Sequence, residues 1–403
     1  MWAILLLALL AQAPDHLAEG LKALDAGQAD AAVESFTKAV AADPADYSAH
    51  FNLGLAYSMG GKDAQAIPEY KKTLELRPGL YEAQLNLSIS LLNTNDGAGA
   101  IPYLKEAVRQ KPAEFRPSYY LADALLATKD FAGAEAAYVR TIELNAASAG
   151  AELGLGQALA QQGHRNEAEP HYRKAANLDR EYHNFLLELA TMYEEHHEAQ
   201  QALGIYREFP DNIGAQERQG VLQLQSGQAA AAIVTLEPVV AKNPTPANQI
   251  ALAQAYVKEK QLAKAVPLTA KAVADAPDDF DLRMFYGRIL RDERRFPPAA
   301  EQFSAAAKIK PDAPEAWTEL AGVQIMAEQL GDGLVALDRV RALGAETSGH
   351  FYLRAITLDR LQRNKEALEA YNKFLASNGG VNPDQEFMAR QRVKVLEKEL
   401  GKR

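Results

Sequence analysis

A chain of 403 residues with a formal net charge of -10 and no cysteine excludes several classes at once. Disulfides, thiolate metal sites, a catalytic thiol and a lipidated cysteine are ruled out by composition. The acidic balance disfavours nucleic acid, which needs clustered Lys and Arg; the longest basic stretch, Arg291-Asp292-Glu293-Arg294-Arg295, is partly self-neutralised.

In chain order, Met1-Trp2-Ala3-Ile4 opens an apolar run that continues to Leu10 and ends in Ala11-Gln12-Ala13. The run is shorter than the about 17–25 residues a bilayer span needs, and the closing A-x-A tripeptide is of the kind signal peptidase cuts. Residues 1–13 therefore read as an export signal cleaved near Ala13, giving a periplasmic or secreted protein without a stable membrane span. No Lys or Arg precedes the run and Pro14 follows the cut. The alternative is a cytoplasmic chain in which this segment adds an apolar turn over the first helix pair.

From residue 13 to about 380 a small-residue and proline pattern recurs, with Pro44, Pro78 and Pro112 spaced 34 apart and Pro277 and Pro311 likewise. It divides the stretch into eleven repeats. Their position 8 reads Gly20, Gly54, Ser88, Ala122, Gly156, Ala190, Gly220, Ala253, Gly287, Ala321 and Ala355. Position 20 reads Ala32, Ala66, Ala100, Ala134, Ala168, Ala202, Ala232, Ala265, Ala299, Gly333 and Ala367. Apolar residues fall around them at helical spacing, as in Phe51, Leu53, Leu55 and Tyr57, then Ile67, Tyr70 and Leu74, with the turn Met59-Gly60-Gly61-Lys62 between. β-Branched residues are sparse and alternation is nowhere sustained, so no strand is expected. Each repeat is an antiparallel helix pair, A then B. Small residues let the two backbones approach, and the proline at position 32, lacking an N–H, stops helix B.

The pattern resembles the tetratricopeptide repeat family, whose period is 34 and whose signature places small residues at positions 8 and 20. Position 24 agrees, with Phe36, Tyr70, Leu104, Tyr138, Tyr172, Tyr206, Leu236, Phe303, Leu337 and Tyr371, and Thr269 as the polar exception. Position 11 agrees less well, and the family tryptophan at position 4 survives only as Trp317. The resemblance implies an all-α, right-handed superhelical solenoid of about eleven repeats. Stacked pairs then share one continuous core. Residues 381–403 are the capping helix, with Phe387, Val393, Leu396 and Leu400 on its apolar side.

Two features depart from regularity. The sixth repeat, starting near His183, is only 30 residues long because Pro210 arrives early, so its helix B should end short. This divides the chain into residues 14–212 and residues 213–380, before the cap at 381–403. Four prolines, Pro68, Pro102, Pro170 and Pro267, share position 22, where a tightened or late-starting first turn of helix B is expected.

No catalytic or nucleotide-binding motif is present. Gly60-Gly61-Lys62-Asp63 lacks the spaced glycine and hydroxyl of a phosphate loop, and neither G-x-S-x-G nor H-E-x-x-H occurs. Glu194-Glu195-His196-His197-Glu198 is the best metal candidate by composition, yet adjacent side chains in a turn point apart and chelate poorly, so it reads as a solvated turn. No cofactor or metal is expected, and no catalytic domain is left outside the repeats.

Function is then expected from surface. In the family it resembles, the concave wall is lined by helix A positions 2, 5, 9, 12 and 13. Carried over, that wall comprises Leu17, Leu21, Phe51, Leu55, Leu85, Ile89 and Tyr119, turns polar through Gln157, Thr191 and Glu217, and then collects Lys258, Arg288 and Arg291. Asn52 and Asn86 stand at position 6, but Phe51 and Leu85 replace the lysine that a carboxylate clamp needs. The expected partners are proteins or peptides with apolar segments, held by a non-enzymatic scaffold in an exported compartment; the alternative is a cytosolic assembly or regulatory subunit.

Overall fold

The computed structural model describes residues 15–401; residues 1–13, with the expected cleavage site, lie outside them. Twenty-three α-helices, one short 3₁₀ segment and no strand make up the described residues. They form two compact units, the first ending at Ala202 and the second beginning at Leu203. The division falls inside the helix Ala199–Tyr206, earlier than the 212/213 boundary expected from spacing.

The first unit holds five regular A–B pairs, from His16–Asp25 with Ala29–Ala42 to Ala149–Gln161 with Arg165–Leu178. The second holds five more, from Ile213–Gln225 with Ala229–Lys242 to Ser348–Arg360 with Asn364–Ser377, followed by Pro383–Leu400. Many A helices begin on a side-chain cap: Asp46, Ser148, Asn212, Thr245 and Asp279 each accept a hydrogen bond from a backbone N–H of the first turn.

The A-to-B turn is the same in all eleven repeats. Position 15 always takes the left-handed conformation, with Gly27, Gly61, Gly163 and Gly227 in four repeats and non-glycine residues in the rest, from Asn95 at φ 61° to Gln362 at φ 59°. The next N–H donates back to the position 11 carbonyl at 2.8–2.9 Å, as in Gln28 to Ala23 and Arg363 to Leu358. This six-to-one bond is the Schellman closure of a helix end. His197 is the left-handed residue of the sixth repeat. The acidic and histidine cluster is thus a turn, and its Glu198 pairs with Arg165 at 2.5 Å.

Every residue at positions 8 and 20 is buried, Ser88 and Gly333 included. The reason is visible at the glycines. A methyl group on Gly20, Gly54, Gly156, Gly220 or Gly287 would come within 2.4–2.8 Å of the position 24 side chain of its own repeat (Phe36, Tyr70, Tyr172, Leu236 and Phe303). Position 8 is therefore the seat for the large side chain of helix B.

The missing tryptophans have a physical replacement. At position 4, His50 Nε2 lies 3.1 Å from the Pro44 carbonyl, Gln249 Nε2 donates to Pro244 at 2.8 Å, Arg283 Nε to Pro277 at 2.5 Å, and Trp317 Nε1 to Pro311 at 2.9 Å. Four residue types thus reach the same acceptor, the proline carbonyl that closes the preceding repeat. Position 23 of the same repeat supports two of these side chains, through His50–Glu69 at 2.6 Å and Arg283–Gln302 at 3.0 Å; in the fifth repeat position 4 is Glu152, and the pair recurs with acid and base exchanged as Glu152–His171 at 2.7 Å.

Two expectations need correction, and a third holds with an addition. Pro68, Pro102, Pro170 and Pro267 do not delay helix B, because the helices start well before them, at Asp63, Gly97, Arg165 and Leu262. All four prolines are exposed, so the carbonyl freed by each missing N–H is on the face that water can reach. In the sixth repeat helix B does stop early, at Tyr206, but helix A also changes: its first turn is the 3₁₀ segment Arg180–Phe185, and the α-helix begins at Leu186. In Pro383–Leu400 the buried residues are Ala389 and Leu396, with Val393 packed beside them, whereas Phe387 is 62% exposed. Residues 389, 393 and 396 share a helical stripe that 387 lies off.

Candidate protein-binding wall

Within the first unit, the residues expected on the wall divide by depth. Leu21 is 43% exposed, while Leu17, Phe51, Leu55 and Ile89 are half-buried. Leu85 is only 7% exposed and belongs to the core around Tyr70 and Leu104, so it offers less surface than the family pattern implies. Phe51 leans on Tyr70 with ring centroids 6.0 Å apart, which fixes its orientation. The Asn52 amide donates to the Ser48 carbonyl at 2.9 Å and so supports its own helix.

Tyr119 is the centre of a site that spacing alone did not assemble. Its ring stacks on Phe115 at 5.5 Å and stands edge-on to Tyr120 and Tyr138 at 5.8 and 6.4 Å. Beside it, Asp123 Oδ1 accepts the Tyr138 hydroxyl at 2.6 Å. Burial pushes the Asp123 carboxyl up to about 6, against the hydrogen bond from Tyr138, which lowers it. The Tyr119 hydroxyl is pushed up in turn, by burial first and by the neighbouring Asp123 charge second.

These groups surround an open depression of about 270 Å³ between helix A of the fourth repeat, Phe115–Ala127, and helix A of the fifth, Ala149–Gln161. Tyr182, from the 3₁₀ segment, lines it as well. Two glycines keep it open: a methyl group on Gly150 would stand 2.7 Å from the Tyr119 hydroxyl, and one on Gly154 would stand 2.2 Å from Tyr138 Cζ. The signal available in the sequence was this pair of glycines at positions 2 and 6, facing the tyrosines at positions 5 and 24 of the preceding repeat.

The polar part of the wall is largely self-satisfied. Gln157 donates to Glu188 at 3.2 Å, and Glu217 accepts from Asn243 and Asn248 at 2.7 and 2.6 Å. Arg288 and Arg291 both engage Glu319, the former at 3.0 Å, so neither presents a bare charge. Lys258 is exposed at the end of its helix. Among the described residues no group of three His, Asp or Glu side chains is placed to hold a metal ion, and no helix is long and apolar enough to cross a membrane.

Fold and surface together define a class, the all-α repeat scaffold that engages other proteins. Family profiles described as "Tetratricopeptide repeat" match residues 17–81 and 85–152, residues 153–182 and residues 223–289. The chain belongs to the tetratricopeptide repeat family. Among solved structures it is similar to "Crystal structure of MamA protein", at 24% identity over 42% of this chain and 93% of that one, with a TM-score of 0.39. It is likewise similar to "MamA 41-end from Desulfovibrio magneticus RS-1", at 21% identity over 42% of this chain and 97% of that one, also with a TM-score of 0.39. No curated protein sequence matches the chain.

Proposed function

We propose that this protein is a non-enzymatic scaffold that holds extended or helical segments of partner proteins along its helix A face. The observation that carries the reading is the run of partly exposed apolar side chains at positions 5 and 9 of successive A helices, Leu17, Leu21, Phe51, Leu55 and Ile89, leading to the depression beside Tyr119. Adjacent apolar groups on one face are what a partner's apolar residues would cover. Segments with apolar side chains are therefore the partner class. The test is co-purification of partners by the protein and by Phe51→Glu combined with Leu55→Glu. Loss of partners with the charged pair is expected; equal recovery would remove the site from this face.

The same reading places the protein in an exported compartment, after cleavage near Ala13. The first helix is capped by Asp15 and starts at His16, so removal of residues 1–13 would leave that helix whole. Mass spectrometry of the mature N-terminus decides it, since retention of Met1 would favour the cytosolic assembly subunit.

A further inference from the structure

Resting on that reading of the helix A face, we propose that the depression formed by Tyr119, Asp123 and Tyr182 receives the lysine or arginine side chain of the bound partner segment. Asp123 accepts one hydrogen bond, from Tyr138, and no lysine, arginine or histidine among the described residues pairs with its carboxylate. Elsewhere the protein answers a buried carboxylate with basic groups: Glu152, 1% exposed, has the Lys174 ammonium at 2.6 Å and the His171 ring at 2.7 Å. A half-buried carboxylate without a counter-charge is costly, and a cation brought by a partner would restore what desolvation took.

The aromatic surroundings favour the same occupant. A guanidinium or ammonium over a tyrosine face is attracted by the ring quadrupole, more strongly where water is reduced. Tyr119 is held for this by its stack on Phe115, and Gly150 and Gly154 leave the space that a side chain would enter. At about 270 Å³ the depression falls below the range of about 300–1,000 Å³ usual for small-molecule sites, which suits one side chain. An apolar side chain would strip the carboxylate of its remaining water and return no charge. An anion would meet Asp123 directly.

The experiment uses the full chain and a displayed library of random dodecapeptides. Enriched peptides are expected to share one lysine or arginine beside apolar residues. In a synthetic copy, replacing that cation by norleucine should weaken binding about tenfold on the unmodified protein. On Asp123→Asn, whose amide oxygen still accepts from Tyr138, the same replacement should cost less than about twofold, the remainder being the coupling between the two charges. Enriched peptides without a shared cation, or an equal loss on both proteins, overturn the proposal; the wider reading then stands if Phe51→Glu with Leu55→Glu still abolishes binding. Peptides indifferent to that charged pair, or a library that enriches nothing, count against both.

Discussion

The seat at position 8 can be tested by adding one methyl group. Gly287 lies inside the helix Phe280–Asp292, where alanine is intrinsically favoured over glycine by about 1 kcal/mol. Its new Cβ would stand 2.6 Å from Phe303 Cε1 and 2.9 Å from Cδ1 and Cζ. Ordinary carbon contacts are about 3.5–4.0 Å, so the ring must shift by roughly 1 Å. Phe303 is fully buried among Ala299, Ala306 and their neighbours, which leaves it no free direction. Overpacking of this kind costs about 1–3 kcal/mol and outweighs the propensity gain. Gly287→Ala is therefore expected to be destabilising by about 1–2 kcal/mol, a fall in Tm of a few degrees by calorimetry. Gly322→Ala is the control: it adds the same methyl to helix A of the next repeat, where nothing lies within 4 Å, and should raise Tm slightly. Combining Gly287→Ala with Phe303→Leu should recover part of the loss, because the tenth repeat carries that pairing as Ala321 with Leu337. A Tm for Gly287→Ala at or above the parent value would refute the seat.

Ala66→Leu and Ala168→Leu overfill fully buried positions and should each lower Tm by an amount equivalent to about 1–3 kcal/mol; unchanged melting of both would contradict close approach at position 20. Asp123→Asn removes a carboxyl held up to about 6 by burial, against an ordinary value of 3.8. In the folded state that group binds its proton more tightly than in the unfolded chain, so its contribution is full below pH about 4 and lost as pH rises through 6. The variant should match the parent near pH 4 and exceed it at pH 8 by up to about 3 kcal/mol; a Tm difference independent of pH would dismiss the assignment. In the terminal helix, Leu396→Ala should cost about 2–5 kcal/mol and Phe387→Ser almost nothing, and similar losses in both would restore Phe387 to the packed stripe.

The period, the eleven pairs and the small residues at positions 8 and 20 were legible in sequence because each repeat solves the same local problem with the same residue sizes. The early stop of helix B in the sixth repeat was legible too, from the place of Pro210. The position 4 contacts were not. His50, Gln249, Arg283 and Trp317 share no chemistry as a class, only an N–H long enough to reach a proline carbonyl in the preceding repeat. Interior prolines misled for a similar reason, since tolerance depends on whether the freed carbonyl faces water, and that is set by packing.

What the sequence determined by itself is the architecture, because helical periodicity, turn residues and side-chain volume act over one repeat and need no distant partner. Only the tertiary structure decided which surface is available. Leu85 withdrew into the core, Arg288 and Arg291 were claimed by Glu319, and Tyr119 and Asp123 of one A helix were joined by Tyr182 of a 3₁₀ segment. Exposure and charge pairing are properties of neighbours across repeats, and a repeat pattern that fixes shape leaves those neighbours free to differ.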